Sequence, residues 1–122
     1  MFPIDIILNT SEGKFHYQGT LKRENSKTII QYEEQIIETK KDTVVFLVEE
    51  NKIVVKRLGG EMIFCEDEEK EFHYETPYGF LVFQIKTHQI IKEKDKITIC
   101  YSLCAENEKI KEEKIILSYY ER

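Results

Sequence analysis

The sequence predicts an all-β fold: a closed or nearly closed antiparallel meander barrel of about eight to ten strands. Three observations carry this reading. Isoleucine occurs 17 times and alanine once, at Ala105; β-branched and aromatic residues fit a pleated, half-buried surface, whereas Ala is the best helix former. Apolar and polar residues alternate with a period of two, most regularly from Phe80 to Ile91 and from Ile97 to Leu103. The polar connections are short, so neighbours in sequence become neighbours in space and no crossover helix fits between them. A twisted meander this long exposes two costly edges unless it closes on itself.

The elements follow in order. Ile4-Asp5-Ile6-Ile7-Leu8 opens the chain, and Thr10 to Gly13 turns. Lys14 to Leu21 runs as a strand, with Phe15, Tyr17 and Gly19 alternating against His16, Gln18 and Thr20. After Glu24-Asn25-Ser26, the stretch Thr28 to Glu34 puts Ile30, Tyr32 and Glu34 on one face. Gln35 to Asp42 is short enough to form a helical turn without changing the class. Thr43 to Val48 and Lys52 to Arg57 flank Glu49-Glu50-Asn51, a hairpin signal with an Asn that tolerates positive φ. Gly59-Gly60 turns, Glu61 to Cys65 is a short strand, and the acidic run Glu66 to Glu71 reads as a solvated loop or hairpin tip. Phe72 to Glu75 follows, then Thr76-Pro77-Tyr78-Gly79 interrupts the pattern as a bend, bulge or edge, because Pro lacks a ladder donor. In Phe80 to Ile91, Leu81, Phe83 and Ile85 share one face and Gln84, Lys86 and His88 the other. Ile97, Ile99, Tyr101 and Leu103 then oppose Thr98, Cys100, Ser102 and Cys104, and Ile110 to Tyr120 closes the chain.

The 122 residues amount to one domain, 1–122, long enough to bury a core without metal or disulfide staples. With 23 acidic against 18 basic residues the net charge is -5, which repels nucleic acid and anionic lipid. Met1 to Thr10 lacks the basic start of a signal peptide, and no stretch approaches the roughly 20 apolar residues of a membrane helix. An odd set of cysteines, Cys65, Cys100 and Cys104, reads as free thiols in a reducing, cytoplasmic setting. Cys100 and Cys104, four apart in a strand, lie ~13 Å from each other, too far to bond.

Motifs in a fixed order resemble a known family. These are Tyr32-Glu33-Glu34, Lys56-Arg57-Leu58-Gly59 after a hairpin, Tyr74-Glu75-Thr76-Pro77-Tyr78-Gly79, Thr87, and Ile97 to Leu103. The chain resembles, over nearly its whole length, the bacterial lipocalin-like (calycin-type) barrel family known as domain of unknown function 1934. The resemblance implies a barrel related in shape to lipocalins, streptavidin and fatty-acid-binding proteins, and it implies no activity. The loops are short for that family, which implies a shallow mouth.

No residue set predicts catalysis, a cofactor or a metal. His16, His73 and His88 are far apart and no Cys-x-x-Cys or His-x-His spacing occurs. Cys100 and Cys104 sit on a strand's small polar face without a readable base beside them. No nucleophile elbow, phosphate loop or dinucleotide fingerprint is present, Gly59-Gly60 reads simply as a turn, and Glu66 to Glu69 lacks the ligand spacing of a calcium loop.

The expected interior polar set is Tyr32, Glu34, Arg57, Tyr74, Thr76, Tyr78, Thr87 and Tyr101. Arg57 counts by two from Ile53 and Val55, and Glu34 from Ile30 and Tyr32, so both point inward and pair near one barrel end. Such a set suits an acidic amphipathic ligand, or forms a structural plug. Two functions follow: a module holding a small, partly apolar or anionic ligand, or a protein-interaction module with a filled core. An enzyme has the least support. A continuous cavity of at least ~300 Å³ separates the first two.

Overall fold

The computed structural model describes residues 1–37, 39–57 and 59–122, with Ile36 and Ile37 described by their backbone alone. Ten strands make up these residues: β1 Phe2–Thr10, β2 Gly13–Glu24, β3 Lys27–Ile37, β4 Lys40–Val48, β5 Ile53–Arg57, β6 Gly60–Phe64, β7 Glu69–Thr76, β8 Gly79–Lys92, β9 Lys96–Ala105 and β10 Glu108–Glu121. They form one antiparallel sheet in the order β6-β5-β4-β3-β2-β1-β10-β9-β8-β7, a meander whose first and last strands, β1 and β10, pair with each other. The two sheet edges, β6 and β7, pack together and nearly close the barrel.

Turn chemistry sets the register. Asn25 and Ser26, and again Glu106 and Asn107, have positive φ at both positions, the two-residue hairpin turn whose twist matches the strands it joins. The interior is one continuous apolar cluster, with Ile4, Ile30, Ile53, Ile85, Ile99 and Leu117 wholly buried. Each contributes about 1.5–3 kcal/mol by leaving water. Ile97, Ile99 and Tyr101 face inward as the alternation predicts, and the three cysteines are free.

Three expectations are corrected. Among the described residues of Gln35 to Asp42 there is no helical turn: β3 runs to Ile37 and β4 starts at Lys40, two strands of a hairpin, and Glu38 lies outside the described residues. The chain's β-branched bias favours continuing the ladder there. The alternation in β8 breaks at a bulge between Thr87 and Gln89, which shifts the phase so that Ile90, not Gln89, packs on the core. Gly59-Gly60 is more than a turn. A Cβ on Gly60 would stand 2.6 Å from the Phe72 ring and 2.7 Å from the His73 carbonyl oxygen. The Glu75 amide donates to the Gly59 carbonyl at 2.8 Å. Glycine here lets the end of the β5–β6 hairpin lie against β7 and close the seam.

Among the described residues, no helix is long and apolar enough to cross a membrane.

Candidate ligand site at the barrel mouth

The two barrel ends differ. At one end, Lys92 Nζ donates to the carbonyls of Glu49 (2.9 Å) and Glu50 (2.8 Å), strapping β8 to the β4–β5 loop. There too, the Tyr119 hydroxyl donates to the Lys94 carbonyl at 3.1 Å and its amide to Asp95 at 3.0 Å, drawing the β8–β9 loop over β10. The other end, where β1, β3, β5, β7 and β9 finish, is ragged. Residues 13–18 of β2 pair only with β1, and residues 33–37 of β3 pair only with β4. The sheet divides just past the Gly19–Tyr32 pair, where a Cβ on Gly19 would fall on the Gln31 carbonyl oxygen. The short β5–β6 hairpin therefore sits in a notch between a β3–β4 arm and a β7–β8 arm, with Arg57 at its tip.

A half-open cavity of about 160 Å³ lies there. Leu8, Phe46, Val55, Met62, Phe64 and Ile115 give it an apolar floor, and Thr10, Glu12, Arg57, Tyr101, Lys111 and Glu113 a polar rim. The volume holds about five waters at ~30 Å³ each. It falls short of the ~300 Å³ expected for an enclosed ligand. The core is filled by its own side chains, and this mouth is shallow.

Two acidic groups meet opposite fates at this rim. Glu113, with 5% of its side chain exposed, lies beside Lys111 at 3.5 Å. Its Oε1 accepts the Ser11 amide (2.9 Å) and the Lys114 amide (3.1 Å), and its Oε2 accepts the Ser11 hydroxyl (2.6 Å). Burial acts to raise its pKa, but the Ser11 and Lys114 hydrogen bonds and the Lys111 charge outweigh it and hold the carboxyl below its ordinary value. Glu113 is thus a pin that ties the β1–β2 turn to β10. Glu34 is looser. Its Oε2 lies 3.9 Å from Arg57, with 30% and 37% of the two side chains exposed.

The Arg57 side chain is ion-paired with Glu34 but makes no hydrogen bond to another described residue. It stands in the electrostatic field of three tyrosines. Tyr32 stacks on Tyr17 with ring centroids 4.4 Å apart, and its hydroxyl is buried without a hydrogen-bond partner among the described residues. Burial above all drives the Tyr32 phenol far above its ordinary pKa, and Arg57 opposes this. Burial, then the Glu113 charge, pushes Tyr101 up to about 12, again against Arg57. Both hydroxyls stay protonated at neutral pH, and of the two the Tyr101 phenol lines the cavity, where a protonated phenol donates to an anion.

Of the eight expected residues, Arg57 and Tyr101 line the cavity, Glu34 stands beside Arg57 at 3.9 Å, and Tyr32 is buried in the core. Thr87 is buried and faces inward opposite Tyr101, but it does not line the cavity, and its hydroxyl also lacks a partner. Tyr74, Thr76 and Tyr78 are not interior. They belong to the β7–β8 arm, where the Thr76 hydroxyl donates to the Gly79 carbonyl and accepts the Tyr78 amide, and Tyr78 is 99% exposed at the tip. Leu58, within the Lys56 to Gly59 motif, lies outside the described residues. The expected inward, hydrogen-bonded Arg57–Glu34 pair is instead a partly solvated ion pair without a hydrogen bond, because both strands end at the open rim. Sequence reasoning passed over Glu113 inside the charged run Glu106 to Lys114. Its signal was phase: Glu113 counts by two back from Ile115, Leu117 and Tyr119.

An all-β meander barrel with one shallow, polar-rimmed mouth is a lipocalin-like domain in shape. The family model described as Domain of unknown function (DUF1934) matches residues 4–117, and the chain belongs to this family. Among solved structures, the chain is similar to the ywiB protein from Bacillus subtilis at 17% identity and a TM-score of 0.78, covering 99% of this chain and 92% of that one. That likeness concerns the fold. No curated protein sequence matches the chain.

Proposed function

We propose that this domain is a non-catalytic, cytoplasmic binding module that holds a small amphipathic anion at the barrel mouth. The observation that carries the reading is Arg57: a cation on the rim of an apolar-floored cavity, its side chain without a hydrogen bond among the described residues, with the Tyr101 phenol lining the same cavity. Arg can clamp a carboxylate with two parallel bonds, and desolvation by the apolar floor strengthens them. The small volume favours a compact acid over a long acyl chain. Benzoate and its neutral isostere benzyl alcohol test this by amide chemical-shift titration. Benzoate is expected to give saturable shifts at the mouth that benzyl alcohol and Arg57→Met do not. Equal shifts from both compounds, or shifts that survive Arg57→Met, contradict the reading.

A second reading, a protein-interaction module, draws on the filled interior and on the apolar β7–β8 arm.

A further inference from the structure

The β7–β8 arm carries an unusual edge. Residues Gly79 to Phe83 of β8 pair with β7 on one side, from Thr76 to Phe72. On the other side β9 begins to pair only at Gln84, opposite Cys104. Five successive residues therefore show an unpaired ladder, and they are Gly-Phe-Leu-Val-Phe. Phe80 is 68% exposed, Leu81 50% and Val82 43%. Proteins ordinarily blunt such an edge with charge, Pro or a cover, because it templates another strand. None of these devices occurs within the five residues.

We propose that this edge is a self-association surface, through which two copies pair β8 to β8 as a two-fold dimer. Three observations select a second copy as the occupant. The first is length. The free edge is bounded by β9 at Gln84 and by the hairpin tip at Pro77–Tyr78, so the five residues of one arm fill the five-residue gap of the other. The second is self-complementarity. Antiparallel pairing centred on Leu81 sets Leu81 against its own copy, Phe80 against Val82 and Gly79 against Phe83. These are aromatic–β-branched and aromatic–glycine cross-strand pairs with no charge opposed. The third is electrostatic. The net charge of -5 opposes association at any contact, and this uncharged edge is a place where two copies meet with no like charges set directly opposite each other. A two-fold contact uses the same patch on both chains, so it closes and leaves no edge for a third.

Sedimentation velocity of the full chain over a concentration series provides the test, with two variants. The wild type is expected to reach twice the chain mass. Leu81→Lys, which sets two like charges on the two-fold axis, is expected to stay at one chain mass while keeping the wild-type circular dichroism spectrum. Leu81→Cys covers the case in which the lysine variant fails to fold. Opposed residues in an antiparallel pair have Cα atoms about 4.5–5.5 Å apart, within disulfide reach. Mild oxidation of Leu81→Cys is expected to give a covalent dimer that the wild type, with its own three cysteines, does not. A wild type that stays monomeric at every concentration, a dimer that persists in a folded Leu81→Lys, or growth beyond two chains overturns the proposal.

Discussion

At the scale of single residues, the mouth is built from three kinds of polar group. Glu113 is fully engaged, Arg57 is ion-paired with Glu34 but makes no side-chain hydrogen bond among the described residues, and the Tyr101 phenol lines the cavity. A charged donor at a rim differs in kind from a buried ion pair. Removing Glu113 is a stability matter. Its folded pKa lies below the unfolded value, so its contribution is complete above the unfolded pKa. That contribution is lost as pH falls through the folded pKa. Glu113→Gln is therefore expected to lose roughly 2–3 kcal/mol at pH 7, the scale of hydrogen bonds to a charged group. The gap to wild type should shrink as urea unfolding is repeated at pH values falling below the ordinary glutamate pKa. A gap independent of pH would show that the carboxylate's charge does nothing for the fold. Residue placement was partly legible in the sequence. Counting by two set Arg57, Glu34, Tyr32 and Tyr101 on the faces where they are found. It says nothing of Tyr78, which lies in the β7–β8 turn, and it does not tell how far a strand such as the one carrying Tyr74 projects beyond the barrel.

At the scale of elements, the barrel depends on one seam. β6 and β7 are the two edges of the sheet, and they meet where the glycines of the β5–β6 turn lie under Phe72 and His73. Gly60→Ala places its methyl against a ring and a backbone oxygen, and the backbone oxygen has little room to yield. The variant is expected to be less stable by roughly 1–3 kcal/mol, the usual penalty of overpacking. Hydrogen exchange should quicken first at the amides of β6 and β7. Exchange that rises uniformly over all ten strands would mean that the seam is not the weak joint. The elements themselves were largely written in the sequence: strand-forming composition, period-two alternation and short turns suffice for a meander. The Gly59-Gly60 close approach was not, because a glycine that admits a neighbour from far along the chain looks the same as one that only bends. The β8 bulge was hidden too, since His88 fits the alternation until Ile90 is seen to pack inward.

At the scale of the whole molecule, the two ends are built differently. Lys92 and Tyr119 strap loops across the far end, which keeps a half-open polar hollow of about 270 Å³ beside Glu49, Ile53 and Lys92, while unequal hairpins leave a notch at the near one. Fold class was legible because it follows from the sum of local preferences. The short loops already imply a shallow mouth; how far side chains such as Phe46 and Phe64 fill the space beneath it emerges only in the structure. The central claim is that Arg57 is kept at this mouth for a ligand and not for the fold. A double-mutant cycle on Arg57→Met and Glu34→Gln, run by denaturant unfolding of ligand-free protein, tests it most directly. A partly exposed pair 3.9 Å apart, with no hydrogen bond, should couple by less than ~1 kcal/mol, and Arg57→Met should be nearly as stable as wild type. A coupling of roughly 3–5 kcal/mol, the range for breaking a buried pair, would make Arg57 a structural plug and contradict the account.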